Sequence, residues 1–368
     1  MKQIFNYQKF NDETLDGMVE TFSVLVDKYL DGKSDTKEYK EANAELTKAF
    51  MKYCVERIPD VKFNSLEDVR NPMIHNSIFF TQAFDTVMAA VYTPAIPTVL
   101  ARNYQNFWEV VQVGWGENAK YSVKSNEMFI VNDLAEGVAR GGLQTSYDTE
   151  YSVAAHPRQI ATYVDWYHVA TGKQDWGYIV SKTALSYANW IQTAAIKAMA
   201  SVITSAGDWG MGGYIANGFS DQNWVITSDN VKMANGGAQV YGFGSKMALM
   251  DILPSQTPAA NGFRYGENSE IIKTGYLPEY KGVPLVEMDQ ALMPNTVNGT
   301  PVRAVPEKII YLLPMAFHKP IKVVIEGTTL TVSKNPYESK DHCYSYVVTA
   351  HLGVDAVVGT KFGAITLE

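Results

Sequence analysis

The nearest thing to a catalytic pair in this sequence is Asp148 with Glu150. At i and i+2 on a predicted strand, the two carboxylates share one polar face about 7 Å apart, and paired carboxylates are what acid–base hydrolysis uses. No apolar pocket is in view to raise either pKa, so the pair reads as a solvated face. The six histidines (75, 156, 168, 318, 342 and 351) are scattered, and none pairs with another at i, i+4 on a predicted helix to hold a metal. His342 and Cys343 are neighbours, which puts their side chains on opposite faces of a strand and prevents a local nucleophile pair. Gly210-Met211-Gly212 and Gly242-Phe243-Gly244 both lack the third glycine of a dinucleotide fingerprint, and no G-x4-GK[ST] loop is present. Catalytic residues can converge from distant sequence, but these patterns lead us to expect no enzyme and no cofactor or metal.

With no reacting centre to position, the elements themselves become the subject. Val180, Ala184, Ala188, Ile191, Ala195, Met199 and Val202 recur in steps of three and four, which predicts a helix from Trp176 to Thr204. Asp175 is its expected N-cap, and Gly207 with Asp208 its stop. Such a helix runs roughly 40 Å, enough to span a domain. Its other face carries Thr183, Tyr187, Trp190 and Lys197, so a second cover is expected there.

Strand period dominates just upstream. From Leu143 to Ala155 the odd positions (Leu143, Thr145, Tyr147, Thr149, Tyr151, Val153, Ala155) are apolar or β-favouring and most even ones are polar. Ala119, Tyr121 and Val123 alternate with Lys120, Ser122 and Lys124, and after a lapse Phe129 and Val131 follow. A glycine-marked tip, Asp133 to Gly142, carries Glu136 and Arg140 between them. The whole predicts one long hairpin. A lone two-stranded hairpin is marginal in water, so it needs a partner surface, here expected on another copy of the chain. Tyr147, Tyr151 and Val153 are its expected contacts, and Glu136 and Arg140 its tip charges.

The rest of the chain is less pointed. Residues 1–60 carry mixed charge and read as an arm, with helical patterns from Leu15 to Tyr29 and Tyr39 to Val55. A helix from Asn76 to Val91 is expected to end at Pro94 and Pro97. Short helices are expected at Asp229–Ala234 and Lys246–Leu253, then strands at Glu270–Lys273, Tyr280–Glu287 and Lys308–Leu313. The last quarter alternates in Ile321–Glu326, Thr328–Val332, Cys343–His351 and Ala364–Leu367. The 368 residues exceed what one core usually holds, so two or three subdomains are expected. A net charge of −8 and a pI near 5.4 argue against nucleic-acid binding as the main surface function. The opening MKQIFNYQKFNDE lacks an apolar run, and Asp85, Pro94 and Pro97 interrupt the most apolar window, so no leader or membrane span is expected. Cys54 and Cys343 match no metal spacing and read as reduced thiols.

The order of charged arm, long hairpin, long helix and β-rich C-terminus resembles the major capsid proteins of tailed phages with the Hong Kong 97-type fold. Lys273-Thr274-Gly275-Tyr276-Leu277-Pro278-Glu279-Tyr280-Lys281-Gly282-Val283-Pro284-Leu285-Val286 looks like the family's axial-domain signature, and Lys308–Leu313 like the buried strand after it. Gly353–Val358 with Phe362–Ile365 resembles its closing strands. The resemblance covers about residues 110–368 and implies an α+β chain. Its parts would be an N-terminal arm (1–60), a peripheral domain (61–118 and 156–239, with the spine helix 176–204), an extended hairpin loop (119–155), an axial domain (240–315) and peripheral C-terminal strands (316–368). The function it implies is self-assembly through pentamers and hexamers into an icosahedral virion shell around double-stranded DNA, formed in the host cytoplasm. A portal protein and possible scaffold or cement proteins would be partners, with DNA contacted indirectly. The Met1 start argues against removal of a large N-terminal scaffold domain. Some members crosslink a loop lysine to a neighbour's asparagine; Lys120 and Lys124 lie in the loop here and Asn335 could accept, but nothing local supports that reaction and it is not expected. The competing readings are an encapsulin-like compartment and a soluble α/β enzyme or ligand-binding protein.

Overall fold

The computed structural model describes residues 13–75, 77–104, 108–123, 129–131, 144–145, 149–165, 168, 171, 173–207, 210–252, 274–288, 290, 300, 302–315, 319–334, 343–357 and 359–367. Its first two helices, α1 (Glu13–Leu30) and α2 (Lys37–Glu56), correct the expectation of an arm. Leu15, Met18, Val19, Phe22, Leu25 and Val26 form an i, i+3, i+4, i+7 stripe that is buried in the main core, and Leu46, Phe50, Met51, Cys54 and Val55 do the same from α2. Phe50 stacks on Phe84 at 5.1 Å and meets Trp176 edge-on at 5.3 Å, so α2 supplies part of the aromatic centre of the molecule. Most of the charges that suggested an arm lie on the outer faces, Asp16 being partly buried.

Helix α3 (Ile78–Tyr104) runs straight through Pro94 and Pro97, where the sequence predicts a stop. Each proline deprives a carbonyl one turn back, Ala90 or Thr93, of its donor, at a cost of about 3 kcal/mol in an exposed helix. Packing wins here: Phe80, Phe84, Val87, Met88, Val91, Tyr92, Ala95 and Ile96 are all buried.

Helix α4 (Trp176–Thr204) has the predicted boundaries, and the Asp175 carboxylate accepts from the Tyr178 N–H at 2.9 Å. Val180, Ala184, Ala188, Ile191, Ala195, Met199 and Val202 are buried within this chain's own main core. Of the other face, Thr183 and Tyr187 are buried and Trp190 is partly covered, whereas Lys197 is exposed. Gly177 is glycine because a Cβ there would lie 2.5 Å from the Tyr39 hydroxyl, which itself donates to Asp175 at 3.1 Å. That pair docks α2 on the first turn of α4.

Strands β1 (Trp108–Val113), β2 (Ala119–Val123), β3 (Thr149–Val153), β4 (His156–Asp165) and β5 (Ile215–Asn217) come next in strand order. They are followed by β6 (Val240–Gly244), β7 (Glu279–Tyr280), β8 (Val283–Glu287), β9 (Ile309–Pro314), β10 (Ile321–Lys334), β11 (Cys343–Ala356) and β12 (Gly363–Thr366). One sheet is four-stranded in the order β1-β10-β11-β4, with β1 parallel to β10 and the rest antiparallel. Its inner face (Ile321, Val323, Tyr346, Val348, Ala350, Leu352) packs on α3 and α4. The Tyr187 hydroxyl ties the two layers, lying 2.8 Å from the Val348 carbonyl and 3.1 Å from that of Arg158. Tyr187→Phe leaves those acceptors short of a donor in a buried place and is expected to cost about 1–2 kcal/mol. An unchanged urea midpoint would show that the hydroxyl contributes nothing to the sheet–helix seam.

The second sheet is six-stranded, in the order β5-β12-β9-β6-β8-β7. With α5 (Asp221–Ala234) and α6 (Lys246–Met250) it encloses a separate core of Trp224, Val231, Val240, Leu249, Tyr280, Leu285, Ile310, Leu312 and Ile365. The stretch 240–315 read from sequence therefore falls short of this module. It takes β5 and α5 from before that stretch and β12 from the C-terminus, because parallel pairing of β12 with β5 and antiparallel pairing with β9 satisfy both edges of the last strand. Asp221 fastens the tight β7–β8 turn, accepting from Tyr280 and pairing with Lys281 at 2.8 Å.

Candidate assembly surface

Strands β2 and β3 pair as a two-stranded hairpin, with Ala119 opposite Val153, Tyr121 opposite Tyr151 and Val123 opposite Thr149. At its root the odd-numbered face does find a partner surface, and that surface is its own chain. Ala119 and Val153 are buried against Val324 of the four-stranded sheet and Val357 just after β11, with Val113, Tyr121, Tyr151 and Ala155 around them. Val153 is thus a hairpin contact, but one consumed inside the subunit, and Tyr151 is partly so. Glu136, Arg140 and Tyr147, like Asp148 of the carboxylate pair, lie outside the described residues.

A buried charge pair anchors the same root. Lys322 on β10, 2 % exposed, pairs with Glu109 on β1, and its ammonium sits over the Tyr121 ring at 4.7 Å. The Tyr121 hydroxyl is pushed up to about 12, chiefly by burial and then by Glu109. Lys319 stands nearby and donates to the Trp108 carbonyl at 3.4 Å; burial pushes its amine down, while the Glu109 charge opposes that shift.

Farther out, the hairpin presents a different surface. Phe129, Ile130 and Val131 are consecutive and exposed, Val131 at 93 %. Their backbone is held in place by one side chain: Gln144 accepts from the Ile130 N–H and donates to the Ile130 carbonyl, each at 2.7 Å, imitating a strand pair. Three adjacent apolar residues in a polar stretch were the available sequence signal for this surface.

The four-stranded sheet carries a matching bare region. On its outer face, Leu330, Thr349 and Gln159 form one cross-strand row, and Val332, Val347 and Ala161 the next, with Ser345 and Tyr163 paired beyond. Leu330, Val332 and Tyr163 are exposed, Tyr163 at 74 %. This is the same face whose other half is covered by the hairpin root. The sheet's outer surface is therefore partly clothed by its own chain and, farther along, exposes Leu330, Val332 and Tyr163 among polar neighbours. Strand alternation flags Leu330 and Val332, whereas β4 and its Tyr163 went unrecognised.

Among the described residues no group of three or more His, Cys, Asp or Glu is placed to hold a metal ion. No described helix is long and apolar enough to cross a membrane.

Comparison with solved structures places the fold. The capsid of a native GTA particle superposes with a TM-score of 0.50 at 12 % identity, covering 72 % of this chain and 89 % of that one. The chain from Microbacterium phage Oxtober96 gives 0.47 at 13 % identity, with 71 % and 89 % covered, and that from Mycobacterium phage Adephagia 0.45 at 12 %, with 74 % and 90 %. No curated protein sequence matches the chain. Spine helix, rooted hairpin and two unequal sheets make up a fold of the Hong Kong 97 type. The chain belongs to the family described as "SPbeta prophage-derived putative capsid protein YonB", whose model matches residues 81–366.

Proposed function

We propose that the chain assembles through pentamers and hexamers into a closed icosahedral shell around double-stranded DNA, with each hairpin laid over an adjacent copy. The observation that carries this reading is the pair of unpartnered apolar surfaces on one subunit, Phe129–Val131 on the hairpin and Leu330, Val332 and Tyr163 on the sheet. Exposed apolar surface of this kind, ordered and contiguous, marks association sites. A chain that carries both a projecting and a receiving surface makes head-to-tail contacts, which close into rings when the rotation allows. In this arrangement the six-stranded module takes the axial place and the four-stranded sheet with α4 the peripheral place. The tip charges Glu136 and Arg140 meet a neighbour. The subunit is a building block with no catalytic role, joined in the virion by a portal protein and by any scaffold or cement protein, with assembly in the host cytoplasm. The acidic balance of the chain fits a container that must not adhere to the DNA it encloses.

Expression of the full chain followed by negative-stain microscopy and nuclease digestion tests this directly. Closed particles that form in the infected host and protect DNA from nuclease are expected. Particles that hold protein cargo without nucleic acid would favour a bacterial compartment, and a monomer that never assembles would overturn the shell reading.

A further inference from the structure

The chain enters the hairpin through residues 114–118 and leaves it through Ala154–Ala155, and both crossings are seated on the β10–β11 pair at a glycine. At the exit, Gly353 lies so close that a Cβ would stand 2.4 Å from the Ala154 carbonyl oxygen. At the entry, Trp115 lies flat over Gly327, where a Cβ would stand 2.4 Å from the ring. Gly327 has φ +60 and sits in the irregular stretch of β10 between Glu326 and Leu330, so the seat for the indole is a bulge that only glycine forms without strain.

The two seats differ in how they are closed. The exit is flanked by buried Val153 and Leu352. The entry is fastened by polar, partly covered groups: Glu326 accepts from the Gly116 N–H at 2.7 Å and stands 3.4 Å from His351 Nδ1. The His351 ring meets Trp115 edge-on at 5.2 Å, and Gln112 donates to the Gly327 carbonyl at 3.1 Å. Trp115 itself is 49 % exposed. Beside the exit lies a cavity of about 370 Å³ bounded by Ser152, Ala154, Arg158, Trp190, Gly353 and Asp355. One crossing is thus a set of separable polar and ring contacts and the other a packed point with empty space next to it.

We propose that Trp115, seated on Gly327 and held by Glu326 and His351, is a releasable latch that fixes the angle of the hairpin, and that the Ala154–Gly353 contact is the pivot about which the hairpin swings when the latch opens. The latch lets the hairpin be re-aimed while the β2–β3 ladder and the sheet stay intact. This inference concerns the single subunit and stands whether or not the subunit forms shells.

The test uses the soluble full-length subunit with spin labels carried on unnatural amino acids at exposed Ser122 and Gln159. The wild-type chain is expected to give one narrow inter-label distance. Trp115→Ala should broaden that distribution at least about twofold while lowering the melting temperature by less than about 5 °C, since the lost side chain is half in water. Glu326→Gln, which keeps the side chain's size and removes its charge, should raise hydrogen exchange in the segment 112–118 about tenfold by weakening the hold on the Gly116 amide. A purely structural tryptophan would lower the melting temperature without broadening the distance. Narrow distributions and unchanged exchange in both variants would overturn the latch, and should Trp115→Ala fail to fold, the Glu326→Gln measurements decide alone.

Discussion

Ile130→Asp with Val131→Asp is expected to yield a folded, soluble subunit that makes no closed particles. Both side chains are exposed in the single chain, so the change costs the subunit little, within about 0.5 kcal/mol as for other surface substitutions. In the proposed assembly the same residues are covered by a neighbour. Burying two unpaired carboxylates there would cost several kcal/mol at every copy of the contact, and each 1.4 kcal/mol is about a tenfold loss of affinity. The matching change on the receiving side, Val332→Asp, should give the same phenotype from the four-stranded sheet. Sedimentation and negative stain read the result, with circular dichroism as the control for folding. Normal particles from the hairpin variant would remove Phe129–Val131 from the contact, and normal particles from both would end the claim that these surfaces meet.

How far such surfaces can be read ahead of a structure depends on where their partners lie in sequence. Helix α4 was readable because its stripe, its Asp175 cap and its burial are all local, and β10, β11 and β12 announce themselves by alternation. The hairpin was readable at Ala119–Val123 and Thr149–Val153 for the same reason. Its odd face needed cover, and the chain supplies that cover itself at Val324 and Val357, more than 150 residues away. No local pattern distinguishes that from cover by another copy, which is why Val153 read as an intermolecular contact. The same distance hides the end of β3: alternation carries on through Ala155, yet the strand stops at Val153 because Gly353 admits a bend at Ala154.

Other elements failed for reasons of competing signals. Strand β4 carries Pro157 and lies at the sheet edge, the position where proline is tolerated. Arg158, an unpromising inward residue, points to the helix layer because its guanidinium stacks over Trp190 at 4.7 Å. Pro94 and Pro97 read as a stop, but the cost of two missing donors is outweighed by the apolar faces of α3 pressed on both α4 and the sheet. In the N-terminal helices the charges point to an arm while the apolar stripes point to a core, and the stripes win: Phe22 and Phe50 are as deeply buried as anything in α4.

Removing the Glu109 carboxylate should be the most damaging single change at the root of the hairpin. Lys322 is almost fully enclosed, and Glu109 and the face of Tyr121 are what compensate its charge there. Glu109→Ala strands that ammonium and also removes the charge that favours the cationic form of Lys319. Breaking one side of a buried pair typically costs about 3–5 kcal/mol. Because the Glu109 side chain is 33 % exposed, water screens part of the interaction, and the lower end, about 3 kcal/mol, is the expected loss in urea unfolding. Lys322→Met together with Glu109→Gln removes both charges and keeps the volume, and should recover all but about 1 kcal/mol, since apolar isosteres often replace a buried pair without loss. A double variant as unstable as Glu109→Ala would mean that the pair's geometry, and not the stranded charge, holds the root. A Glu109→Ala chain as stable as wild type would mean that Lys322 finds water or another acceptor, and that Ala119 and Val153 hold the hairpin on the sheet through apolar burial alone.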